Sequence, residues 1–119
     1  MKALALLFLL AAPVAHCQSL PPLPDSVPSV LGYVRVVKVP GLTCNGYDAY
    51  GCYSALARVI QVRDSMNIVV GWQTLFHEVG HLWLHDANVR LPEDVENKIV
   101  DAMATARLAA WLEERKRKP

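Results

Sequence analysis

The sequence is poor in several features that would each point to a class of protein. Its 119 residues hold only 3 cysteines, 2 phenylalanines and 6 glycines. So few cysteines exclude a domain held together mainly by disulfides. There is no excess of either charge, with 12 Lys and Arg against 11 Asp and Glu. That balance excludes the strongly basic surface of a nucleic-acid binder, and the short basic tail "RKRKP" reads as a solvated end. No apolar run is long enough for a membrane span. The longest, Ala3 to Ala12, falls well short of the roughly 20 residues a helix needs to cross a bilayer. At this length the chain has room for one domain.

The apolar run follows Lys2 and gives way to small residues, then to polar and proline-rich sequence. This is the layout of a secretory signal peptide over residues 1–17. Ala15 and Cys17 occupy the two small positions before the expected cut. A lipid anchor on Cys17 is the weaker alternative, because His16 stands where such a signal needs a small residue. The expectation is export to the periplasm or beyond, with no membrane contact once the leader is removed. Removing Cys17 leaves Cys44 and Cys52 flanking "CNGYDAYGC". An even pair around a turn-forming loop in an exported domain predicts a disulfide. Their separation is too long for a zinc knuckle.

Residues 18–30, "QSLPPLPDSVPSV", carry four prolines and predict a stiff tether with little regular structure. The domain proper is then 31–119. "LGYVRVVKV" ends at Pro40-Gly41 and reads as a strand. "SALARVIQVRDS" contains Val59, Ile60 and Val62 and reads as a second, partly polar strand near an edge. From Met66 the apolar period changes to three and four, through Ile68, Trp72, Leu75, Val79 and Leu82. This predicts a helix capped by Asn67 or Ser65 and ending near His85-Asp86. Pro92 opens a second helix running to about Arg115, with Val95, Ile99, Ala102, Met103 and Ala106 as its apolar face. The fold class is therefore α+β: two or three strands, antiparallel or mixed, packed with two helices.

Three of the 4 histidines fall within "TLFHEVGHLWLH". On a helix, His77 and His81 lie one turn apart and about 40° apart around the axis, so their imidazoles can converge on one ion. Glu78, beside His77, is placed to reach a water on that ion. His-Glu-x-x-His on a helix is the arrangement of zinc hydrolases: a Lewis acid polarises a carbonyl and a carboxylate moves the proton. A third protein ligand is needed. Ala87 stands where a metzincin would have its third histidine, so a carboxylate from the second helix is expected. Glu96 borders the apolar face of that helix and is preferred; Glu93 and Asp101 remain alternatives, and Asp101 could instead orient a ligand histidine. His85 is too far along the axis to share the ion. Tyr47, Tyr50 and Tyr53 ring the cysteine loop, where packing is the expected role and oxyanion stabilisation the alternative.

"TLFHEVGHLWLH" followed by "EDVENKIVDAMA" resembles the minimal zincin domains with a glutamate third ligand, in particular the phage-repressor-cleaving metallopeptidases of the ImmA/IrrE type. The resemblance covers about residues 55–108. It implies a zincin-like fold, Zn2+ bound by His77, His81 and Glu96, Glu78 as catalytic base, and a peptide or protein substrate. A binding module that keeps the fold without cutting is the alternative.

Overall fold

The computed structural model describes residues 20–117. The expected signal peptide and Cys17 lie outside them. The order of elements is β1 (Ser26–Ser29), β2 (Gly32–Val39), β3 (Thr43–Cys44), β4 (Tyr47–Asp48), β5 (Gly51–Ser54), β6 (Val59–Arg63), α1 (Ile68–Asp86) and α2 (Glu93–Arg117). The α+β class holds. The sheet has four strands in the order β1-β2-β6-β5, with β3 and β4 forming a separate two-stranded ribbon, rather than the two or three strands expected. β1–β2 and β5–β6 are antiparallel, and β2–β6 is parallel.

Side-chain alternation on the central strands builds the first core. Val34 and Val36 of β2 and Ile60 and Val62 of β6 point to one face, where they meet Leu75, Val79 and Leu82 of α1. Since successive strand residues face opposite ways, this pattern fixes the register. It also corrects the placing of β6. Its polar residues suggested an edge, yet β6 lies between β2 and β5. Only one face of this sheet is covered by a helix, so Gln61 and Arg63 sit on the other face without entering the core.

The part of the proline-rich segment that lies within the described residues, 20–30, also requires correction. Val27 of β1 and Leu20 are buried, and Trp72 donates its indole N–H to the Pro21 carbonyl at 2.7 Å. The prolines do not prevent this, because β1 is an edge strand with no ladder needed on its outer side. Pro28 pairs opposite Tyr33 within that edge.

Helix α1 starts where the sequence predicts. Asn67 accepts the Val69 N–H at 2.9 Å as its N-cap, and the helix ends at Asp86. It is covered on two sides, by the sheet and by α2. The second contact is a separate apolar cluster of Phe76 with Leu20, Ala104 and Leu108, bordered by Trp72 and Trp111. Trp72 and Trp111 meet edge to face at 4.7 Å. The buried face of α2 is Val100, Ala104 and Leu108. Val95, Ile99 and Met103, expected to face inward, are each 39% exposed. Close approach of the helices explains the choice: a Cβ on Gly80 would lie 2.9 Å from the Val100 side chain. That contact sets Val100, Ala104 and Leu108 against α1, which leaves Val95, Ile99 and Met103, and with them Ala102 and Ala106, turned outward.

The C-terminal end of α1 is tied to the sheet by charge. Asp86 accepts from Arg58 at 2.8 Å and from the Ser29 hydroxyl at 2.6 Å, and its side chain is 1% exposed. The Arg58 hydrogen bond first, and the Ser29 one second, hold its carboxyl down at about 2. A carboxylate lowered in the folded state stabilises fully above its unfolded value and loses that contribution as pH falls through the folded value. Asp86→Asn should therefore cost about 1–3 kcal/mol at pH 7, between the values for an exposed and a fully buried pair, because Arg58 keeps access to water. In urea denaturation the gap between variant and wild type should close as pH drops from about 4 to about 2. A gap that is constant over that window would show that the charge of Asp86 is not what counts.

Candidate metal centre

His77, Glu78 and His81 occupy the side of α1 that looks out between β5 and the start of α2. The three offer ligand atoms that all lie within 4.8 Å of one another, and they form the one such group among the described residues. The two Nε2 atoms are 3.1 Å apart. Two nitrogens each about 2.0–2.1 Å from a zinc ion can stand at that separation, so the imidazole pair fits a metal of this kind.

Both rings are held from behind. His77 Nδ1 lies 2.6 Å from Asp101 Oδ1, and His81 Nδ1 lies 2.5 Å from Glu96 Oε2. A carboxylate accepts only, so each Nδ1 carries the proton and each Nε2 is left with its lone pair. Two lone pairs then lie close together, an arrangement that a cation shared between them, a proton or a metal ion, would favour. This is the chemical argument for the site, and it rests on four side chains from two helices.

Glu78 is 6% exposed. Burial raises its carboxyl above the ordinary range, opposed by His81, then His77, then by the backbone N–H of Tyr53. A carboxyl group lifted in this way, next to the imidazole pair, is placed to exchange a proton with a group between them. Its position depends on β5. A Cβ on Gly51 would stand 2.6 Å from the Thr74 methyl and 2.9 Å from Glu78 Cγ, so the strand backbone lies directly against the carboxylate-bearing turn.

The other expected site residues separate into two groups. Glu96 meets His81 at Nδ1, outside the group of three donors. Asp101 is the partner of His77, the histidine-orienting alternative offered by the sequence. Glu93 and Asn97 line an open cleft of about 370 Å³ together with both histidines and Glu78. His85 is set apart beside Asp86 at 3.8 Å and against the Tyr53 ring. Tyr47 and Tyr50 are 79% and 61% exposed. The Tyr53 hydroxyl is sealed from solvent without a hydrogen-bond partner, so it cannot reach a substrate oxyanion in the cleft. Cys44 and Cys52 form the expected disulfide on the cleft wall. Such a bond points to an oxidising compartment. No helix among the described residues is long and apolar enough to cross a membrane.

Gly51 and the Tyr53 N–H were not foreseen as site elements. The glycine beside Cys52 was a visible signal, since a lone glycine in a strand often marks close backbone approach; its target was not readable. Comparison with family models, curated proteins and solved structures finds no match to this chain.

Gly51→Ala should destabilise the domain by about 1–3 kcal/mol through overpacking. Adding Thr74→Ser, which deletes the methyl at 2.6 Å, should restore part of the loss. Denaturation of the single and double variants checks this, and strictly additive effects would contradict the contact.

Proposed function

We propose that the domain is a zinc-dependent peptidase of zincin-like type, acting on a peptide or protein substrate outside the cytoplasm. The observation that carries this reading is the pair of Nε2 atoms 3.1 Å apart with the buried Glu78 beside them. His77 and His81 supply two donors from one helical turn. A further donor would come from the first turns of α2, where Glu93 and Asn97 border the same cleft. Bound zinc would polarise the scissile carbonyl and acidify a water.

The chain's own residues supply the rest. Glu78 receives the proton of the attacking water and returns it to the leaving nitrogen. Its affinity for a proton, raised first by burial, favours its role as acceptor of that proton. The Tyr53 N–H holds the carboxylate toward the histidines. The β5 strand is an edge of the sheet beside the cleft, and its open side offers backbone groups on which an extended peptide can lie. Val79 and Leu82 anchor the same helix in the core, so the donors are carried on a rigid element.

Glu78→Gln keeps the shape and removes the base. It should lower peptide hydrolysis by about 10²–10⁴-fold while zinc content of the purified protein stays near one per chain. Hydrolysis of a peptide library, followed by mass spectrometry, and metal analysis of the same samples check the two halves. Equal cleavage by wild type and variant would refute Glu78 as base. Absence of bound zinc in wild type would refute the metal site.

A further inference from the structure

Two carboxylates of α2 are already engaged, and neither reaches the space between the imidazoles. Glu96 Oε2 is 2.5 Å from His81 Nδ1, and Asp101 Oδ1 is 2.6 Å from His77 Nδ1. The in-plane axes of the two nitrogens of an imidazole diverge. A group in line with Nδ1 therefore cannot share an ion with Nε2 of the same ring without leaving its place. Glu96 is accordingly absent from the donor group formed by His77, Glu78 and His81.

We propose that Glu96 is a positioning residue for His81, matched by Asp101 for His77, and that it does not enter the coordination shell. This assignment rests on the metal-site reading given above. Each carboxylate accepts an Nδ1–H, fixes one tautomer, and aims one Nε2 at the common point. A carboxylate that accepts the Nδ1–H of a ligand imidazole also raises its basicity. The two positions differ in strength. The Glu96 side chain is 25% exposed and that of Asp101 is 66% exposed, so water competes more at Asp101. The two residues act on different rings and lie on different turns of α2, so their effects should be independent.

The arrangement also explains the packing of the helices. Val100 sits against Gly80, one residue before His81, and Glu96 and Asp101 lie on either side of Val100 along α2. Close contact at that one point sets both carboxylate distances at once. Asn97, in the same turn, borders the cleft with both histidines, and no hydrogen bond among the described residues engages its amide.

The test compares wild type with Glu96→Gln, Glu96→Ala, Asp101→Asn and Asp101→Ala in the full mature chain. Zn2+ affinity is measured by chelator competition, and the visible spectrum of the Co2+-loaded protein reports the ligand set. Imidazole nitrogen NMR of the protein stripped of metal reports the tautomer. Glutamine can still accept the Nδ1–H but is a poor substitute for an anionic ligand. Glu96→Gln should therefore stay within a few-fold of wild type, and Glu96→Ala should lose about 10–100-fold. Asp101→Ala should lose less than Glu96→Ala, and Asp101→Asn less again. Co2+ band positions and intensities at saturation should match wild type in all four. His81 should keep its Nδ1 proton in the Gln variant and become a tautomer mixture in the Ala variant.

A loss beyond about 10³-fold in both Glu96 variants, well above the range for an outer partner, with an altered Co2+ spectrum, would make Glu96 a ligand and overturn the proposal. Unchanged affinity and tautomer in Glu96→Ala would overturn it as well. If Glu96→Ala fails to fold, Glu96→Gln and the Asp101 pair decide. Failure of wild type to bind either Zn2+ or Co2+ is a different result, which removes the metal site itself.

Discussion

Keeping a carboxylate out of water in the middle of a helix is the constraint on which this structure turns. Glu78 is nearly as buried as the core residues beside it, and an isolated carboxylate there would be strongly unfavourable. Three neighbours offset that cost: His81, His77 and the Tyr53 backbone N–H all favour its charged form. Each comes from a different structural decision. The histidines require a helix with four-residue spacing, and the N–H requires strand β5 to run directly across that helix. Gly51 permits the crossing, because any side chain there would occupy the volume of Thr74 and Glu78.

The same helix must be apolar on two sides and polar on a third. Its sheet face carries Leu75, Val79 and Leu82, and its α2 face carries Phe76. What remains is a narrow strip between two layers, and that strip holds the histidines and the glutamate. A three-layer arrangement of sheet, α1 and α2 thus produces a cleft, to whose rim the β3–β4 ribbon adds Cys44 and Asn45. The floor of the cleft is helix, one wall is β5, and the other wall is the start of α2. The Arg58–Asp86–Ser29 cluster closes the opposite end of α1 against the sheet, which keeps the helix from pivoting under the cleft.

Much of this was legible in the sequence where a pattern is local. Asn67 as cap, the apolar period of α1 and Pro92 before α2 all follow from short-range rules. The His-Glu-x-x-His group is legible for the same reason: its geometry is internal to one helix. What could not be read depends on how elements meet. The outward turn of Val95, Ile99 and Met103 follows from the Gly80–Val100 contact, where shape outweighs hydrophobicity. Glu96 as partner of His81 follows from the azimuth of α2 on α1, which also selects, among the roles the sequence offered Asp101, that of orienting His77. β1 was hidden by its prolines, which an edge strand tolerates. The parallel pairing of β2 with β6 was hidden because the intervening segment carries its own ribbon and β5.

The disulfide fits this account as a device for a short strand. β5 has four residues and is paired on one side only, so its own ladder gives it little hold on the position that Glu78 needs. Cys52 is its second residue, and the bond to Cys44 ties it to the ribbon. Closing a loop of this size restricts the unfolded chain by roughly 2–3 kcal/mol. The bond itself is made at the residue between Gly51, which receives the carboxylate turn, and Tyr53, whose N–H holds the carboxylate. A longer, better-paired strand would achieve the same rigidity but would cover the edge beside the cleft. A covalent tie to a two-residue ribbon fixes β5 while leaving its outer side open, and an open side is what an extended peptide would need.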